Sequence, residues 1–353
     1  IKEEKILMVK VFLHIGMNKT GSTAIQKFFG SNQEVLKRHG LLWPDLGLGG
    51  GPHYGLSDAL GFGAQKSVDK GGENASALRA TLDREIAASN PQTVIISSEN
   101  FIKRRGYLPV LRLFEGLDLR VIVYLRRHDD WWPSLYAQAI KIVNNPPWTR
   151  NFKNYCEFQL RRKSQYFVFG ELLNDLAAVF GRDRIIVCPY EETQNQPNLI
   201  AHFLNQVERP DLAHLVPKDE QRVNAALSPR TLSLIDWTQR AKVDKETKGK
   251  IIRTIINEYK AEDAPPLVPS AFRRQLALEH AEDYKQIARN YLGRESGVLF
   301  TAPLPEDDGH KGNGGLPNIN PVDFFASYFA DPSEVMTRPD VDEDNFANKT
   351  RSI

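Results

Sequence analysis

The sequence has little cysteine and lacks a long apolar run. Its 353 residues include two cysteines, Cys156 and Cys188, which excludes a disulfide framework and offers no paired spacing typical of zinc. This cysteine usage is typical of a reducing compartment, so we expect a cytoplasmic protein. No apolar run approaches the roughly 18 residues of a membrane-spanning helix. We therefore expect no transmembrane segment and, at most, peripheral contact with a membrane.

Strong net charge is also missing. The formal net charge is +2, and 41% hydrophobic with 25% charged residues is typical of a globular protein. The small total conceals an asymmetry, because residues 303–353 hold ten Asp/Glu and four Lys/Arg, so this stretch carries −6 and the rest +8. A mildly basic body suits an anionic small ligand or an anionic polymer. It is too weakly basic to indicate a nucleic-acid partner.

Short apolar segments alternate with segments of helical spacing over the first 190 residues. The apolar segments predict strands at Val9–Ile15, Gln92–Phe101, Leu119–Arg127 and Asp183–Tyr190. The helices predicted between them are Thr23–Lys37, Ala75–Ser89, Trp131–Val143 and Glu171–Gly181. This alternation predicts an α/β fold with a mostly parallel sheet covered on both faces. In such sheets, ligands bind beyond the carboxyl ends of the strands.

We expect one α/β domain over residues 8–300, with a helical insert or extension at about 220–295. From residue 301 to 353 the chain is acidic and rich in Pro and Gly, which predicts a poorly ordered tail. The short apolar segment FFASYF within this tail is a candidate for docking onto the rest of the protein.

The segment HIGMNKTGSTAIQ, His14–Gln26, joins the first predicted strand to the first predicted helix. Glycine at 16 and 21 allows the backbone to turn closely around an anion, and amides at the start of a helix point at it. The groups that would hold the anion are the amides of Gly21–Thr23, the Lys19 ammonium and the hydroxyls of Thr20, Ser22 and Thr23.

The order of residues in this loop differs from the nucleotide-triphosphatase loop, in which lysine follows the second glycine. Here Lys19 precedes Gly21, and no apolar strand ends in a clear magnesium-binding aspartate. The segment resembles the 5′-phosphosulfate loop of sulfotransferases that use 3′-phosphoadenosine 5′-phosphosulfate, PAPS. The resemblance implies a P-loop-like parallel sheet flanked by helices, with a helical C-terminal part. It places Lys19 at the 5′-phosphate and the bridging oxygen, and wraps Thr20–Thr23 around the phosphate.

A second segment, VIVYLRRHDDWWPSLYAQAIK, resembles the 3′-phosphate motif of the same family. Arg126 ends a predicted strand, and Ser134 follows eight residues later on the next predicted helix. An arginine fork with a helix-borne hydroxyl suits one phosphate. Arg127 is an alternative donor for this phosphate. Near the end of the resemblance, Arg294 in RNYLGRESGVLF is a candidate for a nucleotide contact or for a salt bridge.

The resemblance implies in-line transfer of a sulfuryl group from PAPS to an acceptor hydroxyl, with adenosine 3′,5′-bisphosphate as product and no metal. Such a reaction needs positive charge at the departing phosphate and a base for the hydroxyl proton. Lys19 suits the first role. Two residues are candidates for the base: Glu99, which ends VIISSE and is preferred on its place in the family order, and His53 in GPHYGLSDAL. The alternatives are a structural partner of Arg126 or Lys19 for Glu99, and an ordinary loop histidine for His53.

Aromatic residues near the predicted cleft favour a carbohydrate or glycolipid acceptor, because sugar rings stack on such side chains. The residues are Tyr54, Trp43, Trp131, Trp132 and Trp148, and core packing is the alternative for each tryptophan. Two other functions stay open. One is an ATP-dependent small-molecule kinase, which would require magnesium. The other is a catalytically inactive nucleotide-binding scaffold.

Overall fold

The computed structural model describes residues 8–48, 51–63, 71–103, 106–162, 166–217, 227–258, 267–306, 316–317, 320–328 and 331. The strands in this part of the chain are β1 (Lys10–Ile15), β2 (Leu41–Leu42), β3 (Thr93–Ser98), β4 (Asp118–Leu125) and β5 (Ile185–Pro189). The helices are α1 (Ser22–Ser31), α2 (Gln33–Arg38), α3 (Tyr54–Ala59), α4 (Gly71–Ser89), α5 (Leu108–Leu113), α6 (His128–Ile142), α7 (Phe152–Arg162), α8 (Phe169–Phe180), α9 (Leu199–Gln206), α10 (Pro229–Arg240), α11 (Lys245–Glu258), α12 (Ser270–Glu279), α13 (Ala281–Leu292) and α14 (Pro321–Phe325). Short 3₁₀ helices lie at Glu99–Ile102, Arg182–Arg184 and Pro210–Leu215.

The five strands form one parallel sheet in the order β2-β3-β1-β4-β5. The chain leaves β1 for β2, returns through β3, and then crosses β1 to reach β4. Strand β1 therefore lies at the point where the strand order reverses, which is where ligands generally bind in open α/β sheets. The predicted α/β class with a parallel sheet flanked by helices is confirmed.

Both faces of the sheet are buried. Phe12 on β1 and Tyr124 on β4 face a cluster that includes Phe29 of α1 and Phe203 of α9. The alternating residues of β1 on the opposite face, which include Leu13, are fully buried as well. Side chains alternate between the faces of a strand, so a strand buried on both sides is a continuous apolar run. This is why the four longer strands were predictable from hydrophobicity alone.

Three local features differ from the prediction. The predicted strand Gln92–Phe101 ends at Ser98, where a 3₁₀ helix begins at Glu99 and the Ser98 side chain accepts from the Asn100 amide. The predicted helix Thr23–Lys37 is two helices, α1 and α2, that meet at Asn32, whose side-chain amide donates to the Phe28 carbonyl at 2.7 Å. This local bond competes with helix continuation, as asparagine side chains commonly do. Strand β2 was not predicted, because a pair of leucines is too short for a strand pattern to be visible.

The chain divides into two compact units. The first is Ile1–Trp131, Arg162–Val223 and Gln275–Leu304, and the second is Trp132–Arg161, Asn224–Arg274 and Pro305–Ile353. The first unit contains the sheet, whereas the predicted helical extension at 220–295 is divided, with α10 and α11 in the second unit and α13 in the first. Helix α6 crosses the boundary after Trp131.

The second unit has a charged centre. The buried Asp236 carboxylate accepts hydrogen bonds from Arg150 and Arg240, each at 2.9 Å, and the Arg150 guanidinium lies 4.3 Å from the centre of the Trp237 ring. Phe325, in the predicted docking segment of the tail, is buried against Trp237 and Ala241. The rest of the predicted tail lies largely outside the described residues. Among the described helices, none has the length and apolar character needed to cross a membrane.

Candidate active site

The loop between β1 and α1 adopts a conformation that depends on its glycines. Gly21 has φ 75°, in the left-handed region, and a Cβ at this position would lie 2.2 Å from Cδ2 of Leu199. A Cβ on Gly16 would lie 3.0 Å from Cγ of Glu99. Lys19 also has a positive φ, 69°, which is unusual for a residue with a side chain. The backbone is therefore folded tightly between the strand and the helix.

The start of α1 is suited to an anion. Gly21 is the residue before the helix, and it has no side chain to cap the first turn. Within the described residues, the first backbone amide of the helix with a protein acceptor is that of Ala24, which donates to the Gly21 carbonyl at 3.0 Å. The amides of Ser22 and Thr23 point along the positive end of the helix dipole. A phosphate or phosphosulfate oxygen is the kind of group that satisfies such amides.

The hydroxyls of the loop have different surroundings. Thr20 is fully buried, and its Oγ1 donates to the Met17 carbonyl at 2.7 Å, so this hydroxyl stabilises the turn. Ser22 Oγ donates to Glu99 Oε1 at 2.6 Å. Thr23 is exposed on the first turn of α1. Of the three predicted hydroxyl donors, Thr23 is the one that faces solvent.

Arg126 follows the last residue of β4 and reaches the loop. Its Nη1 donates to the Lys19 carbonyl at 3.0 Å, and its guanidinium lies 5.7 Å from the centre of the Tyr190 ring. Trp131 supports the same turn, because its Nε1 donates to the Asn18 carbonyl at 2.9 Å. The two predicted phosphate-binding cations are thus joined through the backbone of the loop. Ser134 lies eight residues after Arg126 on α6, in the second unit.

The other two arginines with predicted nucleotide contacts are engaged elsewhere. Arg127 is buried, forms two hydrogen bonds to Asp129 at 2.7 and 2.9 Å, and donates to the Pro303 carbonyl at 3.0 Å. Arg294 donates to Gln194 Oε1 at 2.8 Å and to the carbonyl of Leu299 at 3.1 Å. Both guanidinium groups hold the segment that follows α13.

Glu99 lies directly after β3, beside the loop. Strand pairing places β3 next to β1, with Ser98 opposite Ile15, so the residue after Ser98 reaches the start of the loop. One carboxylate oxygen of Glu99 accepts from Ser22, and the other accepts from the Tyr54 hydroxyl at 3.0 Å. Glu99 is half-buried. The structure therefore brings this candidate base into direct contact with the N-terminus of α1.

His53 has a different position. It is fully buried and packs on Trp43, with 4.5 Å between ring centres. Its Nδ1 accepts from the Ser97 amide at 3.1 Å, and its Nε2 donates to the Pro44 carbonyl at 3.0 Å. Burial lowers the pKa of His53 from 6.5 to about 4, so the ring is neutral near pH 7. Both ring nitrogens are bonded within the protein, and the structure does not bring this second candidate base to the loop.

A buried polar cluster that the sequence did not reveal lies beneath the loop. Ser97 Oγ accepts from the Gln26 amide at 3.0 Å and pairs with His14 Nδ1 at 2.8 Å. Burial lowers the pKa of His14 to about 4, although the nearby Glu99 acts in the opposite direction. The sequence signal for this cluster was a histidine, His14, within an apolar strand. The partners of His14 could not be identified from the sequence, because they depend on the strand register and on which face of α1 packs against the sheet.

The aromatic residues expected around a sugar divide sharply by exposure. Trp43, Trp131, Trp132 and Trp148 are each 3% exposed or less, so they are core residues. Tyr54 is 37% exposed, and it is the one exposed residue of these five. Its hydroxyl donates to Glu99.

Comparison of the chain with protein-family models, with curated proteins and with solved structures finds no match. The geometry of the loop, of Arg126 and of Glu99 is therefore what a functional interpretation has to rest on.

Proposed function

We propose that this protein is a PAPS-dependent sulfotransferase that transfers a sulfuryl group to a hydroxyl of a carbohydrate or glycolipid. The observation that carries the proposal is the contact of the Glu99 carboxylate with Ser22, at the start of α1. The contact brings a carboxylate, a group that can act as a base, beside a helix terminus that suits an anion, at the loop that contains Lys19. This combination matches the needs of transfer from an anionic donor to a neutral hydroxyl.

The donor contributes an activated sulfuryl group bonded to a phosphate that can leave. In this proposal, the amides of Ser22 and Thr23 and the Lys19 ammonium bind that 5′-phosphate and offset its charge as it departs. Arg126 serves the 3′-phosphate, as the sequence motif implies. Arg126 also fixes the left-handed turn at Lys19 through its bond to the loop carbonyl.

Glu99 removes the acceptor proton while the new oxygen–sulfur bond forms and the bond from sulfur to the phosphate oxygen breaks. Its two oxygens each accept one hydrogen bond, from Ser22 and from Tyr54. A carboxylate offers about four lone-pair positions, so acceptor capacity remains for a substrate hydroxyl. The bond from Ser22 also orients the carboxylate toward the loop, which favours a fixed reaction geometry.

A second candidate function is favoured by the same hydrogen bond. In P-loop kinases, a loop Ser/Thr and a carboxylate at the end of a neighbouring strand hold magnesium. Ser22 and Glu99 have this relation, because Glu99 follows β3 and β3 pairs with β1. The position of Lys19 before Gly21 argues against a kinase, since the triphosphatase loop has lysine after that glycine. An ATP-dependent small-molecule kinase is thus the main rival.

Thermal unfolding with two nucleotides separates these functions. We expect adenosine 3′,5′-bisphosphate to raise the melting temperature with or without EDTA. A ligand at 100 times its Kd adds about 2.7 kcal/mol to the free energy of unfolding. Lys19→Ala should abolish the shift, whereas Lys27→Ala, at an exposed position of α1, should retain it. If ATP with magnesium raises the melting temperature and adenosine 3′,5′-bisphosphate does not, the proposal is overturned in favour of the kinase. Nucleotide binding without transfer to any acceptor would indicate the inactive scaffold.

A further inference from the structure

We propose that Tyr54 forms the acceptor subsite, with its ring against a pyranose ring and its hydroxyl as the group that the acceptor hydroxyl displaces from Glu99. This inference rests on the proposed function and specifies its substrate side. It joins two observations: the Tyr54 hydroxyl donates to Glu99 at 3.0 Å, and Tyr54 is 37% exposed.

Tyr54 is held in place by the residue before it. His53 exchanges two hydrogen bonds with the backbone of Ser97, from the His53 amide to the Ser97 carbonyl at 2.9 Å and from the Ser97 amide to His53 Nδ1 at 3.1 Å. Ser97 is two residues before Glu99 on the same strand end. His53 therefore fixes the start of α3 relative to Glu99, and a rigid support of this kind favours a precise binding geometry.

The Tyr54 hydroxyl makes the donation that an acceptor hydroxyl has to make. Burial, and then the negative charge of Glu99, raise the pKa of Tyr54 to about 12, so the phenol keeps its proton near neutral pH. A neutral hydroxyl bonded to a carboxylate is the arrangement from which a base removes a proton. An incoming sugar hydroxyl can replace this bond without leaving the carboxylate unpaired.

The surroundings of Tyr54 suit a sugar. Sugars present an apolar C–H face and polar edges, and an aromatic ring next to carboxylate and amide groups matches both. Asp58 is exposed one turn after Tyr54 on α3, and residues four apart share a helix face. Asp58 Oδ1 accepts from Asn100 Nδ2 at 3.3 Å, which positions that carboxylate. The four candidate tryptophans are buried, so Tyr54 is the one of the five candidate aromatic residues that can supply the stacking face.

The test uses two variants of the full-length chain and three acceptor probes. Tyr54→Ala removes the ring and the hydroxyl, whereas Tyr54→Phe removes the hydroxyl and retains the ring. The probes are an equimolar mixture of cellobiose, maltose and lactose, the acyclic polyol sorbitol, and 4-nitrophenol. Transfer from labelled PAPS gives kcat and KM. Calorimetry measures disaccharide binding in the presence of adenosine 3′,5′-bisphosphate, which reports on the subsite without turnover.

We expect Tyr54→Ala to raise KM and Kd for the disaccharides at least about tenfold, with KM for PAPS within about twofold of wild type. Tyr54→Phe should keep disaccharide Kd within about threefold, because the ring is retained, and should keep kcat within about threefold, because the acceptor displaces the phenol hydroxyl before the transfer. Leu108→Ala, a change at an exposed apolar residue of α5, is the matched control and should leave all values unchanged.

Several results would overturn the inference. They are unchanged disaccharide Kd in Tyr54→Ala, preference for sorbitol or 4-nitrophenol over the disaccharides, and no transfer to the disaccharides by a wild-type protein that binds the nucleotide. A wild-type protein that does not bind adenosine 3′,5′-bisphosphate would instead contradict the proposed function itself. The two failures are thus distinguishable.

Discussion

The two sides of the candidate site are built differently. The proposed 5′-phosphate loop of the donor side, residues 14–26, is a continuous segment with left-handed turns at Lys19 and Gly21. The proposed acceptor side combines Tyr54 with Glu99, two residues 45 positions apart that meet through the packing of α3 on the end of β3. The 5′-phosphate loop can therefore be recognised from a short motif, whereas the acceptor side exists only in the folded chain.

This difference explains how one sequence motif can be specific while the substrate remains open. A loop that presents amides and a lysine to an anion needs particular residues at particular positions. A surface that presents one ring and one carboxylate to a sugar can be assembled from many segments. Substitutions that change only one of the two sides therefore distinguish an effect on donor binding from an effect on acceptor chemistry.

The largest effect is expected from Glu99→Gln, which keeps the shape of the side chain and removes the base. We expect kcat for sulfuryl transfer to fall by about 10²–10⁴-fold, the usual contribution of a general base. Binding of adenosine 3′,5′-bisphosphate should change little, because the amides of the loop and Lys19 are intact. Stopped-time assays with labelled PAPS and calorimetry measure the two quantities.

Two variants control this experiment. Glu258→Gln, at an exposed position of α11, should leave activity unchanged. His53→Gln should lower the free energy of unfolding, because it disturbs the buried bonds to Ser97 and Pro44. A loss of kcat in His53→Gln as large as in Glu99→Gln, with stability retained, would reverse the assignment of the base.

Two of the buried histidines, His14 and His53, lie one on each side of the site and predict loss of stability in acid. His14 and His53 have a folded-state pKa of about 4 and an unfolded value of 6.5. Between about pH 6.5 and pH 4 the unfolded chain therefore binds more protons than the folded chain. The contribution of the two histidines to the free energy of unfolding is fully present above about pH 6.5 and is lost as the pH falls to about 4. Each residue contributes about 3 kcal/mol to this loss. Urea unfolding at several pH values measures it, and a flat profile between pH 7 and 4 would contradict the burial of both rings.

Much of the fold was predictable because its signals are local. The strands Val9–Ile15 and Leu119–Arg127 correspond to β1 and β4, since buried parallel strands are continuous apolar runs. The strand order was not predictable, because every one of these runs is apolar on both faces. The break between α1 and α2 depends on a single hydrogen bond of Asn32, which competes with a pattern that favours one long helix.

In the candidate site, too, local features were predictable and contacts between distant residues were not. The glycines of the loop and the place of Lys19 were visible in the sequence, and the structure gives the physical reason at Gly21, where a Cβ would overlap Leu199. The partners of Glu99 were not visible, because Ser22 lies 77 residues and Tyr54 45 residues from it. The burial of the tryptophans was also invisible, since an aromatic residue in the sequence does not reveal which way it faces.

The smallest effects are expected from two threonines of the donor loop, which share a side chain but not an environment. Thr20 is buried and donates to the Met17 carbonyl, whereas Thr23 is exposed at the first turn of α1. Thr20→Val should lower the free energy of unfolding by about 1–3 kcal/mol, because it leaves a buried carbonyl without its partner. Thr23→Val should change stability by less than about 0.5 kcal/mol, as is usual for surface substitutions.

Nucleotide binding should rank these variants in the opposite order. If the Thr23 hydroxyl contributes one hydrogen bond to the 5′-phosphate, its loss costs about 1–2 kcal/mol and raises Kd for adenosine 3′,5′-bisphosphate roughly tenfold. Folded Thr20→Val should bind within a fewfold of wild type, since its hydroxyl already serves the Met17 carbonyl. Urea unfolding and calorimetry on the same two proteins check both rankings. Equal Kd values for Thr23→Val and wild type would remove the Thr23 hydroxyl from the donor side and leave the backbone amides and Lys19 as its anion-binding groups.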